Sequence, residues 1–450
     1  GGGSNMTGFT RRDTLKIGAG ALAGTTLLGY RPAFGEVMAA DVPAPKFQVE
    51  KGAELRVLRP AKFVQGDETL FLQNTERFTQ TTGIKVRVDN ESWEDLRPKT
   101  AVAANIGSGP DVVLAWNDDP HQYPDKLLDL TEVAEYLGKK YGGWYPIAER
   151  YGKGTDGKWI AMPIGASGGA IVYRKSWVNQ AGYETVPTDI DNFLKLAQNL
   201  KKNNHPMGFA LGNAQGDGNT WTHWLIWAHG GAMVDEKNKV IIDSPQTIAA
   251  LEYGKQLYEN FIPGTMSWLD PSNNKAFLAG EVGLTANGIS VYYSAKNSTD
   301  AAIKAMAEDI YHAPFPIGPV GKPTEAGLLI NTMVFKHTKY PNAAKEYVRF
   351  IFEKEQYEPW QKASIGYWSH PLAAYSGNPI WTEDPKHAAY AEVMKNMLWY
   401  GYQGSLGYAS AATLADFIIN NMVSQVCSGR STPKEAAAEA QRRAERYYRT

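Results

Sequence analysis

The chain has 450 residues, of which 21% are charged and 43% hydrophobic, with a formal net charge of -1. That length exceeds one ordinary core and suits two lobes. The balanced charge leaves no electrostatic footprint for nucleic acid or an anionic membrane surface. A single cysteine, Cys427, allows no internal disulfide and no cysteine-built metal site, and leaves no early cysteine to carry a lipid anchor. Aromatic residues make up 12%, including 13 Trp and 24 Tyr. Flat rings suit the apolar faces of sugars, although large cores use them as readily.

Gly1–Asn5 precede Met6, the expected natural start, and read as an expression remnant. Residues 6–39 read as a signal peptide: Thr10-Arg11-Arg12-Asp13-Thr14-Leu15-Lys16 precede an apolar run, Ile17–Gly29, too short to span a bilayer. The arginine pair resembles a twin-arginine export signal, with Thr14 standing where a bulky apolar residue is usual, so the Sec route stays open. A periplasmic location without a lipid anchor is expected.

From residue 50 strands and helices alternate. Leu55, Val57 and Leu58 make a strand, Glu68 to Thr81 a helix stopped by Gly83, and Ile84, Val86 and Val88 a second strand. A helix over 94–106 leads past Gly109-Pro110 to Val112-Val113-Leu114, an unalternating run suited to a doubly covered sheet. This order implies parallel strands with helices on both faces. Further on, Trp159, Ala161, Met162 and then Ile171 to Tyr173 are strand-like. Thr188, Ser244 and Thr432 stand as helix N-caps, the last two followed by proline and Thr432 with a capping box to Glu435.

Three motifs invite chemistry. Gly165-Ala166-Ser167-Gly168-Gly169 matches the G-x-S-x-G of serine hydrolases, but an elbow leads from strand into helix, and Ala170–Lys175 read as a strand. A glycine-rich crossing between lobes accounts for it better. Tyr292-Tyr293 resembles the tyrosine pair of some ferric-ion binders, with His312 or Glu91 as further ligands; packing plus one ring at a cleft explains it more simply. The histidines show no metal spacing, His223 and His229 being six apart. Asp118-Asp119 follow a strand at the carboxyl end of a parallel sheet, where such folds bind ligands, and suit hydrogen bonds from sugar hydroxyls as well as acid–base work. No enzyme activity, cofactor or metal is expected.

Ordered blocks then narrow the reading. Ser108-Gly109-Pro110-Asp111-Val112-Val113, Asp156-Gly157-Lys158-Trp159-Ile160-Ala161-Met162-Pro163, Val172-Tyr173-Arg174-Lys175, Gly182 with Pro187-Thr188, Gly230-Gly231 and Ala276–Gly288 follow one another along the chain. Over residues 50–450 they resemble the family 1 extracellular solute-binding proteins, the maltose-binding-protein-like sugar-binding group of ABC importers. At Asp189-Ile190-Asp191 the family's usual Trp and Glu are replaced. The resemblance implies an α/β, two-lobed periplasmic-binding-protein fold (type II), with parallel-rich sheets flanked by helices and a ligand cleft between hinged lobes. Lobe one is expected over 50–164 and 316–382, lobe two over 165–315 and 383–450, with crossings near 163–169, 309–316 and 380–385.

By position in those blocks, the ligand-binding candidates are Asp67, Trp93 and the loop Trp116, Asn117, Asp118, Asp119 in lobe one, with Gly165 and Ser167 at the hinge. Lobe two offers Trp221, Trp268, Asn287, Tyr292, Trp399 and Tyr400, and a late loop Tyr367 and Trp368. The implied function is capture of a carbohydrate (mono- or oligosaccharide or glycoside) by a monomer that delivers it to an ABC importer's membrane subunits. A non-sugar solute (polyamine, ferric complex or acidic sugar derivative) is the alternative, and an exported esterase using Ser167 the remote one.

Overall fold

The computed structural model describes residues 39–391 and 393–449. The expected signal peptide lies, but for its last residue, outside them. Among the described residues eight strands are found: β1 (Glu54–Pro60), β2 (Lys85–Glu91), β3 (Val112–Trp116), β4 (Met162–Gly168), β5 (Ala170–Arg174), β6 (Leu284–Asn287), β7 (Ile310–Ala313) and β8 (Gly327–Val334). Two long helices, α1 (Gln65–Thr82) and α2 (Trp93–Ile106), join the first three strands.

The described chain divides into two compact units. One holds the residues up to Trp116, Tyr123–Ala166 and Leu329–Lys395; the other holds Asn117–Gln122, Ser167–Leu328 and Asn396 onward. The chain thus passes between the units after Trp116, after Gln122, inside β4, inside β8 and after Lys395. The expected crossing at 309–316 belongs instead to the second unit. There β7 pairs with β5, and the Ile317 and Val320 N–H groups donate to Thr188 O (2.7 Å) and Ala228 O (3.1 Å). The segment at 380–385 sits inside the first unit, where the Ile380 carbonyl accepts from His387 Nδ1 at 3.0 Å.

In the first unit the sheet runs β2-β1-β3-β8-β4. β1 is parallel to both β2 and β3, and β3 is antiparallel to β8. All five residues of β3 are buried, as its unbroken apolar run requires. α1 begins with Asp67 and Glu68 near its positive end and ends at Gly83, whose φ of 78° lies in the left-handed region. It buries Phe71, Asn74, Thr75 and Phe78, a helical stripe. Ser92 caps α2 by accepting from the Asp95 N–H.

The second unit has a three-stranded sheet, β6-β5-β7, antiparallel throughout. Its core gathers Phe193, Leu196, Phe209, Trp221, Trp224 and Phe261. The helix Ile190–Lys202 is capped by Asp189, whose carboxylate accepts from the Asn192 N–H, and not by Thr188. Asp189 is one residue nearer the first free amides and carries a charge that the helix terminus favours. Ser244 and Thr432 cap their helices, Thr432 within a full capping box. Cys427 is buried with its thiol against Gly254 O at 3.7 Å, and burial pushes its pKa up to about 12.

Candidate functional site

The carboxyl ends of β1 and β3 in the first unit carry an aromatic nest built around one ion pair. Arg59, near the end of β1, and Asp67, in the first turn of α1, are both buried. Arg59 Nη1 and Nη2 donate to the two Asp67 carboxylate oxygens at 2.9 and 2.6 Å. This two-pronged geometry is the strongest that the pair can form. Asp67 also accepts from Trp360 Nε1 (2.8 Å) and Trp368 Nε1 (3.3 Å). Four donors thus converge on a residue expected to meet a solute directly. Its acceptors are taken up inside the unit, and its work is to orient two indoles.

Those indoles sit among other rings. Trp93 packs against Trp116 at 5.1 Å and Trp368 at 6.2 Å, and Trp368 against Tyr367 at 4.9 Å. Trp93 donates its Nε1–H to Ala61 O, and Trp116 to Trp93 O. Each buried indole nitrogen is therefore satisfied, as burial demands. Phe63, in the β1–α1 loop, meets Trp93 edge-on at 4.4 Å and lies parallel to Tyr367, centroids 6.4 Å apart and planes within 3°. It is only partly buried. Sequence reading passed over it, although it lies in the loop that leads from a strand's carboxyl end to Asp67 in the first turn of α1, the signal that would have found it. Gly165 completes the nest: a Cβ there would stand 2.6 Å from that of Trp368. Close approach, not hinge freedom, is what this glycine supplies.

In the second unit the expected residues divide. Trp221 is fully buried in the core, donating to Ala210 O at 2.6 Å and packed on Phe209 and Phe261, so it has no face to offer a solute. Asn117, Asp118 and Asp119 are buried beside the helix Tyr408–Ala415, with Asn117 Nδ2 donating to Gly327 O. Asn287 donates to Asn273 and Asn274 and accepts from the Gly288 N–H, locking the end of β6. Tyr292 meets His312 edge-on, with Lys296 over its ring. Trp268 covers Gly208, is partly exposed, and lies one residue before Leu269 and the helix Asp270–Leu278. Trp399 donates to Gly404 O and packs on Tyr402, while Tyr400 is buried against His223. Ser167 is in β4, which ends at Gly168 and is followed after Gly169 by β5 and not by a helix, so the strand-to-helix elbow is not formed.

The second unit also holds a carboxyl pair that sequence reading missed. Asp270 accepts from the Gly216 and Asp217 N–H groups at the head of the helix Asp217–Ala228. Burial, then the Asp270 charge, push the Asp217 carboxyl well above the usual range. No sequence motif joins residues 53 positions apart. Among the described residues no three His, Cys, Asp or Glu gather as a metal cluster.

His223 in this unit carries a pH dependence. Its Nδ1–H donates to Asn219 O at 2.7 Å, and burial, outweighing that bond, lowers its pKa to about 4. The folded state therefore disfavours the proton that the unfolded chain takes up near its ordinary value. Stability is full above about pH 6.5 and declines as pH falls toward 4, by about 3 kcal/mol in all. Urea midpoints at pH 7.5 and 5 should differ more in the parent than in His223→Gln; equal differences would refute the assignment.

A family model described as bacterial extracellular solute-binding protein matches residues 73–389. The chain belongs to that family. This solute-binding protein is 22% identical over 292 residues to a Brucella abortus (strain 2308) protein named "Putative binding protein"; the match spans 61% of this chain and 66% of that relative, just short of two thirds of its length. An Escherichia coli (strain K12) protein named "Putative ABC transporter periplasmic-binding protein" is 25% identical over 211 residues, 45% of this chain and 47% of the other. Among solved structures, maltose-bound T. maritima MalE3 superposes with a TM-score of 0.75 at 19% identity, over 88% of this chain and 99% of that one. A sugar transporter from Arthrobacter chlorophenolicus A6 with bound laminaribiose gives 0.75, 19%, 88% and 99%. These likenesses establish the fold. The family makes the chain a binding protein, which ends the esterase reading of Ser167.

Proposed function

We propose that this solute-binding protein captures a carbohydrate outside the cytoplasm, as a monomer, and delivers it to the membrane subunits of an ABC importer. The observation that carries the reading is the nest in the first unit: Phe63 lies parallel to Tyr367, Trp368 is held by its bond to Asp67 of the Arg59–Asp67 pair, and Trp93 and Trp116 are held by their bonds to Ala61 O and Trp93 O. Pre-oriented rings lose little entropy on stacking against a sugar's apolar face. Relatives of the same fold are described with maltose and laminaribiose bound, which favours a sugar here. Export by the arginine-pair leader, through the twin-arginine or the Sec route, completes the proposal.

A melting-point screen over mono- and oligosaccharides, polyamines and ferric salts tests it. A sugar at a hundred times its dissociation constant should add about 2.7 kcal/mol. Phe63→Ala should weaken that sugar at least about tenfold and leave the free protein's melting point near the parent's, since Phe63 is only partly buried. If an amine or ferric salt shifted the melting point and no sugar did, the carbohydrate assignment would be wrong; the Asp217–Asp270 pair would then favour the amine.

A further inference from the structure

The face of the β1–β2 ladder that turns toward α2 is left partly open. In register, Arg56 stands beside Arg87, Leu58 beside Asp89 and Pro60 beside Glu91, so these side chains share one face. Leu55 and Val57, on the opposite face, are buried. Between ladder and helix runs a trough of about 670 Å³, floored by Leu58 and walled by Pro98, Val102 and Ile106 of α2. That volume falls within the usual range for small-molecule sites. Val102 is 54% exposed and Ile106 68% exposed, one helical turn apart on the same wall. Two large aliphatic side chains left in water beside a cavity mark a surface that something covers.

The charges around the trough do not balance. Arg87 pairs with Asp89 at 3.1 Å, and Lys99 pairs with Glu91. Arg56 uses its backbone N–H to reach Asp111, but among the described residues its guanidinium has no hydrogen bond or ion pair. Beside an apolar wall, one cation is left over, and a second guanidinium stands next to it in the ladder. A guanidinium presents a planar fork that matches a carboxylate.

We propose that this trough binds an amphiphilic monoanion, a free alkyl carboxylate whose head meets Arg56 and whose chain lies along Val102 and Ile106. The site lies wholly within the first unit and does not depend on the carbohydrate reading. Calorimetric titration with decanoate, kept below its micelle concentration, is the test. Saturable one-to-one binding is expected, weakened at least about tenfold by Arg56→Gln and by Ile106→Ser, with decanol and decyltrimethylammonium binding far more weakly. Arg56 and Ile106 are exposed, so both variants should keep the parent's melting point, which is measured alongside. Absence of saturable heat overturns the proposal, as does unchanged affinity in either variant or equal binding of decanol. A concentration-dependent dimer that Ile106→Ser dissolves, in protein that ignores decanoate, would assign the trough to a second copy and overturn it too. The sugar screen reads none of these outcomes, so either proposal can fail alone.

Discussion

Asp67→Ala should destabilise the first unit by about 3–5 kcal/mol, the cost of leaving a buried charge without its partner. Arg59 and Asp67 have side-chain exposures of 1% and 3%, so water cannot replace the lost carboxylate. Two indole N–H groups are orphaned with it. Denaturant midpoints give the stability, and near-ultraviolet circular dichroism should report loosened tryptophans. Arg59→Met in the same chain should recover part of the loss, because it removes the uncompensated charge and still packs on Phe71, over which the guanidinium lies at 4.7 Å. A single variant within 1 kcal/mol of the parent would show that the pair is not the keystone of the nest.

Glu353→Leu should cost about 3 kcal/mol by a different route. Glu353 accepts from Tyr136 and Tyr141 hydroxyls at 2.6 and 2.5 Å, from Lys140 at 2.9 Å and from Arg349 at 2.5 Å. Lys140 and Arg349 keep some access to water, but Tyr141 is fully buried and its hydroxyl would lose its acceptor. Burial alone would raise the Glu353 pKa, yet the two hydroxyls and Lys140 outweigh it and hold it below the usual value. With the folded pKa depressed, the contribution is complete above the ordinary glutamate range and is lost as pH falls through the folded value. The variant's stability should therefore depend less on pH between 5 and 3 than the parent's. An unchanged slope would mean that another carboxylate carries the acid sensitivity.

Much of the frame was legible from residue order. Gly83 and Gly107, both in the left-handed region, end the first two helices where their sequences suggest. The unbroken apolar run at Val112 marks a covered strand. The crossings were less legible, because an extended segment reads alike whether it bridges two units or pairs inside one. Ile310–Ala313 looked like a link and is a strand of the second sheet. The site was legible as a set of residue types and not as a set of roles. Asp67, Trp93, Trp116, Tyr367 and Trp368 do come together, but nothing local says that Asp67 faces Arg59 and two indoles instead of solvent. Trp221 and Trp268 are the same residue type with opposite fates, one deep in a core and one partly exposed. Side-chain direction is settled by partners distant in sequence, which composition and spacing do not encode.

The solitary thiol has a practical consequence. Cys427 is buried, and its pKa stands at about 12, so at neutral pH almost none of it is thiolate, the form that attacks maleimides and iodoacetamides. The folded chain is chemically silent toward such dyes without any cysteine having to be removed. A cysteine introduced at Phe63 or Val102 would be the only fast-reacting site, and an environment-sensitive fluorophore placed there would convert the protein directly into an optical reporter for whatever occupies the neighbouring surface.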